Sequence, residues 1–208
     1  MKPLRHALSE LDGLGCLAFL TAELKSESPQ TRYWAAKSLG ELGPAANDSV
    51  RALVQATEDT NADVRYAVLR SLAKIGSDDS TVVPQLVVAM KDPDPDIRYF
   101  AAKALSKIGP LASTAVAELS EALKDENPET RYYVAKSLAR IGPKSVAAMH
   151  ALIEALEDCD PKVRYYSAKA LGKTGLDSEA AVAALKIAAR DSDVEVREAA
   201  TQALKNIE

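Results

Sequence analysis

Arginine returns every 33 residues along this chain, at Arg32, Arg65, Arg98, Arg131, Arg164 and Arg197. Self-similarity at such a period marks a stack of small supersecondary units, none of which can bury its apolar face alone. With each arginine taken as position 0, other columns fall into line. Position +7 is Leu39, Leu72, Leu105, Leu138, Leu171 and Leu204, and position +11 is Gly43, Gly76, Gly109, Gly142 and Gly175. Position −6 is Asp59, Asp92, Asp125, Asp158 and Asp191, with Ser26 in the first unit.

Each unit reads as two helices with explicit punctuation. Position −4 is Ser28, Asn61, Asp94, Asn127, Asp160 or Asp193, all side chains that cap orphan N–H groups. Pro29, Pro95, Pro128 and Pro161 follow at the first helical position, where no N–H is missed. The +11 glycine is expected to end the helix in the left-handed conformation, and Pro44, Pro110 and Pro143 forbid its continuation. A second helix follows, carrying Leu53, Leu86, Leu119, Leu152 and Leu185 in one column and Ala56, Ala89, Ala122, Ala155 and Ala188 in another. Pro84 falls near the start of such a helix, where it is tolerated. The chain is therefore expected to be all-α, a right-handed α-solenoid of helical hairpins forming a single repeat domain over 1–208. Residues 1–25 read as a divergent cap unit with a first helix near 3–11, residues 26–191 as five full repeats, and 192–208 as a capping helix. Glu198, Thr201, Gln202 and Asn206 bring polar character to that last helix.

Composition narrows the function classes. The net charge of −4 gives no global case for nucleic acid or an anionic membrane. Cys16 and Cys159 are too few for a disulfide framework or a zinc site. No apolar run is long enough to span a bilayer, and Asp12, Gly13 and Gly15 break the N-terminal stretch. A cytoplasmic, monomeric protein is expected. Catalytic constellations are thin: there is no P-loop, no G-x-G-x-x-G and no serine nucleophile elbow. Asp92, Asp94 and Asp96 lack the glycine and terminal glutamate of a calcium loop and read as capping residues. Cys159 sits in an inter-unit turn without a partner histidine. No enzyme activity, metal or cofactor is expected.

The segment DPDPDIRYFAAKALSKIGP (92–110) resembles the HEAT-like repeats of phycobilisome lyase subunits, and the resemblance extends over about 26–208. It implies that the arginine and the −6 aspartate link successive turns, and that the arginine-bearing helix lines a concave surface. It does not imply one activity, because the fold serves many. The HEAT-like deoxyhypusine hydroxylases use repeated His-Glu pairs for a di-iron site, whereas here His6 and His150 are the only histidines and neither precedes a glutamate.

A helical wheel puts positions −1, +3, +7 and +10 (Ile97, Ala101, Leu105 and Ile108 in one unit) in the core, and −2, +1, +2, +5 and +9 on the opposite face. Position +1 is Tyr33, Tyr66, Tyr99, Tyr132 and Tyr165; position +2 is Trp34, Ala67, Phe100, Tyr133 and Tyr166. These columns hold all seven tyrosines and the single tryptophan. Position +5 is Lys37, Arg70, Lys103, Lys136 and Lys169, while +9 adds Lys74, Lys107, Arg140 and Lys173. The five columns contain ten basic and six acidic residues, so the face is positive on a negative chain. Stacked, they form a mostly acidic margin, an aromatic ridge and a basic margin, in which Lys103 is expected to be solvated.

Tyrosine and tryptophan are the usual anchors of interfaces. The leading expectation is a non-enzymatic scaffold holding a peptide or protein of acidic and apolar character in this groove. The candidate contacts are Tyr33, Trp34, Tyr66, Arg70, Tyr99, Phe100, Lys103, Lys107, Tyr132, Tyr133, Lys136, Arg140, Tyr165, Tyr166, Lys169 and Lys173. Two other readings stay open. The resemblance allows a bilin-lyase-like or chaperone-like subunit, and rings beside lysines allow nucleic-acid binding, against which the acidic margin weighs. A structural role for the tyrosines, stacking on neighbouring lysine stems, also stays open, as does a rival surface on the second helices around Gln55, Glu58, Glu121 and Lys124.

Overall fold

The computed structural model describes residues 13–76, 80–174 and 178–207, and among them every regular element is helical. The helix expected near 3–11, His6 and Gly175 lie outside the described residues. The chain divides into two compact units, residues 1–77 and 78–208. The first contains α1 (Gly13–Glu23), α2 (Pro29–Leu42), α3 (Val50–Gln55) and α4 (Ala62–Ile75). The second contains α5 (Val83–Ala89), α6 (Pro95–Ile108), α7 (Val116–Ala122), α8 (Pro128–Ile141), α9 (Met149–Glu154), α10 (Pro161–Thr174), α11 (Glu179–Ala188) and α12 (Val194–Ile207).

The arginine-bearing helices α2, α4, α6, α8, α10 and α12 are each 14 residues long. Their boundaries follow from the punctuation. Every −4 side chain accepts a first-turn N–H: Ser28 from Thr31, Asn61 from Val64, Asp94 from Asp96, Asn127 from Glu129, Asp160 from Lys162 and Asp193 from Glu195. Asp92 in turn accepts from the N–H of Asp94, so the three aspartates of 92–96 shape a helix start.

The helix stops follow the glycines. Gly43, Gly76, Gly109 and Gly142 have φ of 58°, 70°, 63° and 70°, the positive range that glycine adopts without penalty. Their ψ is extended rather than helical, at −136°, 156°, −126° and −132°, so the chain leaves each helix at once. The second leg differs from expectation. It opens as a seven-residue 3-10 segment (Gly43–Ser49, Gly109–Ala115, Gly142–Ala148) and becomes α-helical only for the six or seven residues of α3, α7 and α9.

Within each unit, consecutive arginine-bearing helices lie side by side. The wheel assignment holds: Ile97, Ala101, Leu105 and Ile108 are buried, as are Leu39, Leu72, Leu138 and Leu171. Small residues set the spacing. A Cβ on Gly172 of α10 would stand 2.6 Å from the Cα of Ala203 on α12, and one on Gly40 of α2 would meet Ser71 of α4. Ser71 Oγ lies between two carbonyls, that of Ala67 on its own helix at 2.7 Å and that of Ala36 across the contact at 2.8 Å. On α12, Glu198, Thr201, Gln202 and Asn206 are exposed.

The position-0 arginines stitch successive turns together. Arg32 grips Asp59 through Nε at 2.6 Å and Nη2 at 2.8 Å, and Arg131 grips Asp158 at 2.7 and 3.0 Å. Arg164 does the same to Asp191, at 2.8 Å twice, while Arg98 divides its Nη2 between Asp125 and Glu126. The remaining Nη1 donates to backbone carbonyls at the end of the preceding leg, as from Arg98 to Asp92 and Pro93. Each aspartate also accepts the N–H two residues on, as Asp158 does from Asp160.

These bonds set the acid response. Hydrogen bonds from Arg32 and Arg164 hold Asp59 and Asp191 below the ordinary carboxylate range. Burial pushes Asp158 up, but Arg131 and the Asp160 N–H more than reverse it. A carboxylate with a depressed folded pKa contributes stability above its unfolded value, near about 4, and loses it as pH falls through the folded value. The urea midpoint should therefore stay flat from neutrality to about pH 5 and fall steadily below about pH 4. Asp158→Asn should lower the neutral midpoint and flatten that acid slope; an unchanged slope would remove the ladder as its source.

Candidate partner-binding face

All sixteen candidate contacts stand on arginine-bearing helices, and none is buried: Arg70, Lys107, Arg140, Lys169 and Lys173 are exposed and the others half-buried. The face exists because the wheel turns these columns away from the leucine core. In the first unit, Tyr33 and Trp34 meet edge to face at 5.4 Å and the Lys37 ammonium lies 4.4 Å from the tryptophan ring centre. Trp34 Nε1 is buried without a hydrogen-bond partner. Ala67 is buried, the one member of its column in this unit without a ring to present.

The second unit builds a ladder. Tyr99 on α6 packs edge to face against its neighbour Phe100 and across to Tyr133 on α8, with centroids at 4.6 and 5.5 Å. One turn of the stack later, Tyr132 repeats this with Tyr133 at 4.6 Å and with Tyr166 on α10 at 5.5 Å. The +5 lysines complete each step. Lys103 Nζ donates to Tyr99 Oη at 2.9 Å and lies 5.1, 5.6 and 5.3 Å from the centres of Tyr99, Phe100 and Tyr133. Lys136 donates to Tyr132 Oη at 3.1 Å and lies within 5.3–5.6 Å of Tyr132, Tyr133 and Tyr166.

The expectation that Lys103 is solvated fails, and Lys136 is held in the same way. The spacing of tyrosine at +1 and lysine at +5 puts both on one helix flank, the i, i+4 relation, and the next helix supplies a third ring. An ammonium is drawn to aromatic faces by their quadrupole. Burial works against the charge of Lys103 and Lys136, but the tyrosine hydroxyls outweigh it and leave both ammoniums more basic than usual. Lys107, though exposed, moves the other way, lowered by partial loss of its water and by the charges of Lys103 and Arg140. Lys162, at −2, was not among the expected contacts. It lies 5.6 Å from the Tyr132 ring centre and 3.8 Å from Glu129, interrupting the acidic margin.

Cys159 is exposed in its turn, where Arg131 Nη2 donates to its Sγ at 3.4 Å. Among the described residues no His, Cys, Asp and Glu group is placed to hold a metal, and no helix is long and apolar enough to cross a membrane.

A family model for HEAT repeats matches residues 17–82 and 116–205, and a second, for the single HEAT repeat, matches 82–112. Among solved structures, the chain resembles an engineered protein at 26% identity and a TM-score of 0.81, covering 92% of this chain and 96% of that one. A designed armadillo repeat protein in complex with the peptide (KR)4 aligns at 18% identity and a TM-score of 0.77, covering 92% and 99%. The archaeal HEAT-like repeats protein from Thermococcus onnurineus NA1 aligns at 17% and 0.73, covering 98% and 90%. No curated protein sequence matches. Paired helices in a 33-residue register, an arginine–aspartate ladder between them and models matched over most of the length place this chain in the HEAT repeat family.

Proposed function

We propose that the aromatic face is the working surface of a non-enzymatic, monomeric scaffold, and that it holds a peptide or protein segment of acidic and apolar character. A HEAT-type solenoid is a general binding scaffold; the choice of face and partner is our reading. The observation that carries it is the ladder of half-exposed rings from Tyr99 to Tyr166, each fixed edge to face with an ammonium over it. Side chains already held in place lose little entropy on binding. Each caged ammonium gives one hydrogen bond to a tyrosine and has further donors for a carboxylate. The exposed Arg140 and Lys173 extend the positive charge along the margin. The designed armadillo protein was solved with a strongly basic peptide; the same five columns of the second unit hold seven basic and four acidic residues, which favours the opposite sign.

The test uses dye-labelled peptides and the full chain. The peptide (Glu-Leu)4 should bind by fluorescence polarisation and (Lys-Arg)4 should not, and Tyr99→Ala with Tyr132→Ala should abolish binding, since central aromatic anchors commonly carry about 2 kcal/mol each. Removing these rings also costs some stability, so the double variant is compared well below its melting temperature. Equal binding of both peptides would overturn the proposal. So would binding that survives the double variant but is lost in Glu121→Ala with Lys124→Ala on the second-helix surface.

A further inference from the structure

The ladder of the second unit has one rung without a ring. Tyr99 is met across the helix pair by Tyr133, and Tyr132 by Tyr166. In the same register Tyr165 on α10 faces position 199 on α12, which is alanine. A cavity of about 310 Å³ opens there, walled by Tyr165, Lys169 and Gly172 on one side and Glu198, Ala199 and Gln202 on the other. The helices have not moved apart to make it, because Gly172 and Ala203 hold them in close contact one turn away. What is missing is a side chain. The lysine of this step reports the same vacancy. Lys169 has the rings of Tyr165 and Tyr166 at 5.0 and 5.9 Å but no third ring, and it is exposed where Lys103 and Lys136 are half-buried.

We infer that this gap receives an aromatic side chain, phenylalanine or tyrosine, from the partner, which takes the place Tyr133 and Tyr166 occupy in the other two steps. The inference rests on the proposed binding role of this face and specifies one contact within it. An incoming ring would meet Tyr165 edge to face and place its electron-rich face beneath the Lys169 ammonium, completing the three-ring surround. Gln202, which donates to Asn206 at 2.9 Å, provides a polar lip for the backbone that carries the ring.

The probe is N-acetyl-L-tyrosinamide, with N-acetyl-L-alaninamide as control, titrated into the 15N-labelled full chain. Tyrosinamide should shift the amides of Tyr165, Lys169, Ala199 and Gln202, and alaninamide should not. Ala199→Tyr supplies the missing ring from within and should weaken tyrosinamide binding tenfold or more (about 1.4 kcal/mol) without lowering the melting temperature. If that variant fails to fold, Ala199→Leu, which fills part of the gap, must weaken binding in its place. Shifts scattered over the other rings, equal shifts with alaninamide, or undiminished binding to the filled variant would overturn the inference. Because Tyr99 and Tyr132 are untouched, such a failure leaves (Glu-Leu)4 capture by the central rings intact, whereas loss of that capture alone refutes the wider proposal.

Discussion

Arg98→Ala is expected to lower the free energy of unfolding by about 2–3 kcal/mol, while Lys103→Ala, five residues on, costs about 0.5–1 kcal/mol. Each substitution removes one positive charge from one helix, so net charge does not separate them. Partners do. Arg98 holds Asp125 and Glu126 and the carbonyls of Asp92 and Pro93, and both it and Asp125 are largely shielded, at 12% and 9% side-chain exposure. Truncation leaves the shielded Asp125 carboxylate with only the Asn127 N–H and takes the side-chain donor from the Asp92 carbonyl, and that desolvation is not recovered. Lys103 leaves behind rings and a hydroxyl that water can reach. Urea denaturation of the two variants decides it. Equal midpoints would mean the arginine ladder is no more than a surface ion pair, which typically contributes under about 1 kcal/mol.

The ladder was legible because both partners recur at fixed offsets and because an arginine near the core requires a partner. Helix starts were equally legible, since −4 caps and prolines act within one turn of the residues they satisfy. The second leg was not. Its apolar columns fit a helix, but their period cannot show that 3-10 winding precedes α3, α5, α7 and α9. The caged lysines were hidden for a different reason. A wheel gives the direction of a side chain from its own axis, and Lys103 depends on Tyr133, which belongs to the next helix. The spacings of Tyr99 and Phe100 from Lys103, four and three residues, are present in the sequence and supply two of the three rings. Ala199 continues the +2 column onto α12, but only the packing of α10 against α12 shows the cavity it leaves beside Tyr165.

Reversing the caged charges separates the two roles of this face. Lys103→Glu with Lys136→Glu should slow association of (Glu-Leu)4 tenfold or more and flatten its salt dependence, because opposite charge across an interface acts chiefly on the encounter rate. The same pair should also lower the melting temperature. Glutamate at either position loses the hydrogen bond to the tyrosine hydroxyl and exchanges an ammonium that the rings attract for a negative charge that they do not. Lys107→Glu with Arg140→Glu makes the same change of net charge on exposed residues one turn further along the helices. That pair should slow association comparably, yet shift stability by no more than about 0.5 kcal/mol, as surface substitutions generally do. Stopped-flow association rates across a salt series, with melting curves of the same samples, distinguish the outcomes. Equal melting shifts for the two pairs would show that the cages add nothing to the fold. An association rate unmoved by either pair would show that the positive margin does not draw the partner in, leaving the rings alone to account for binding.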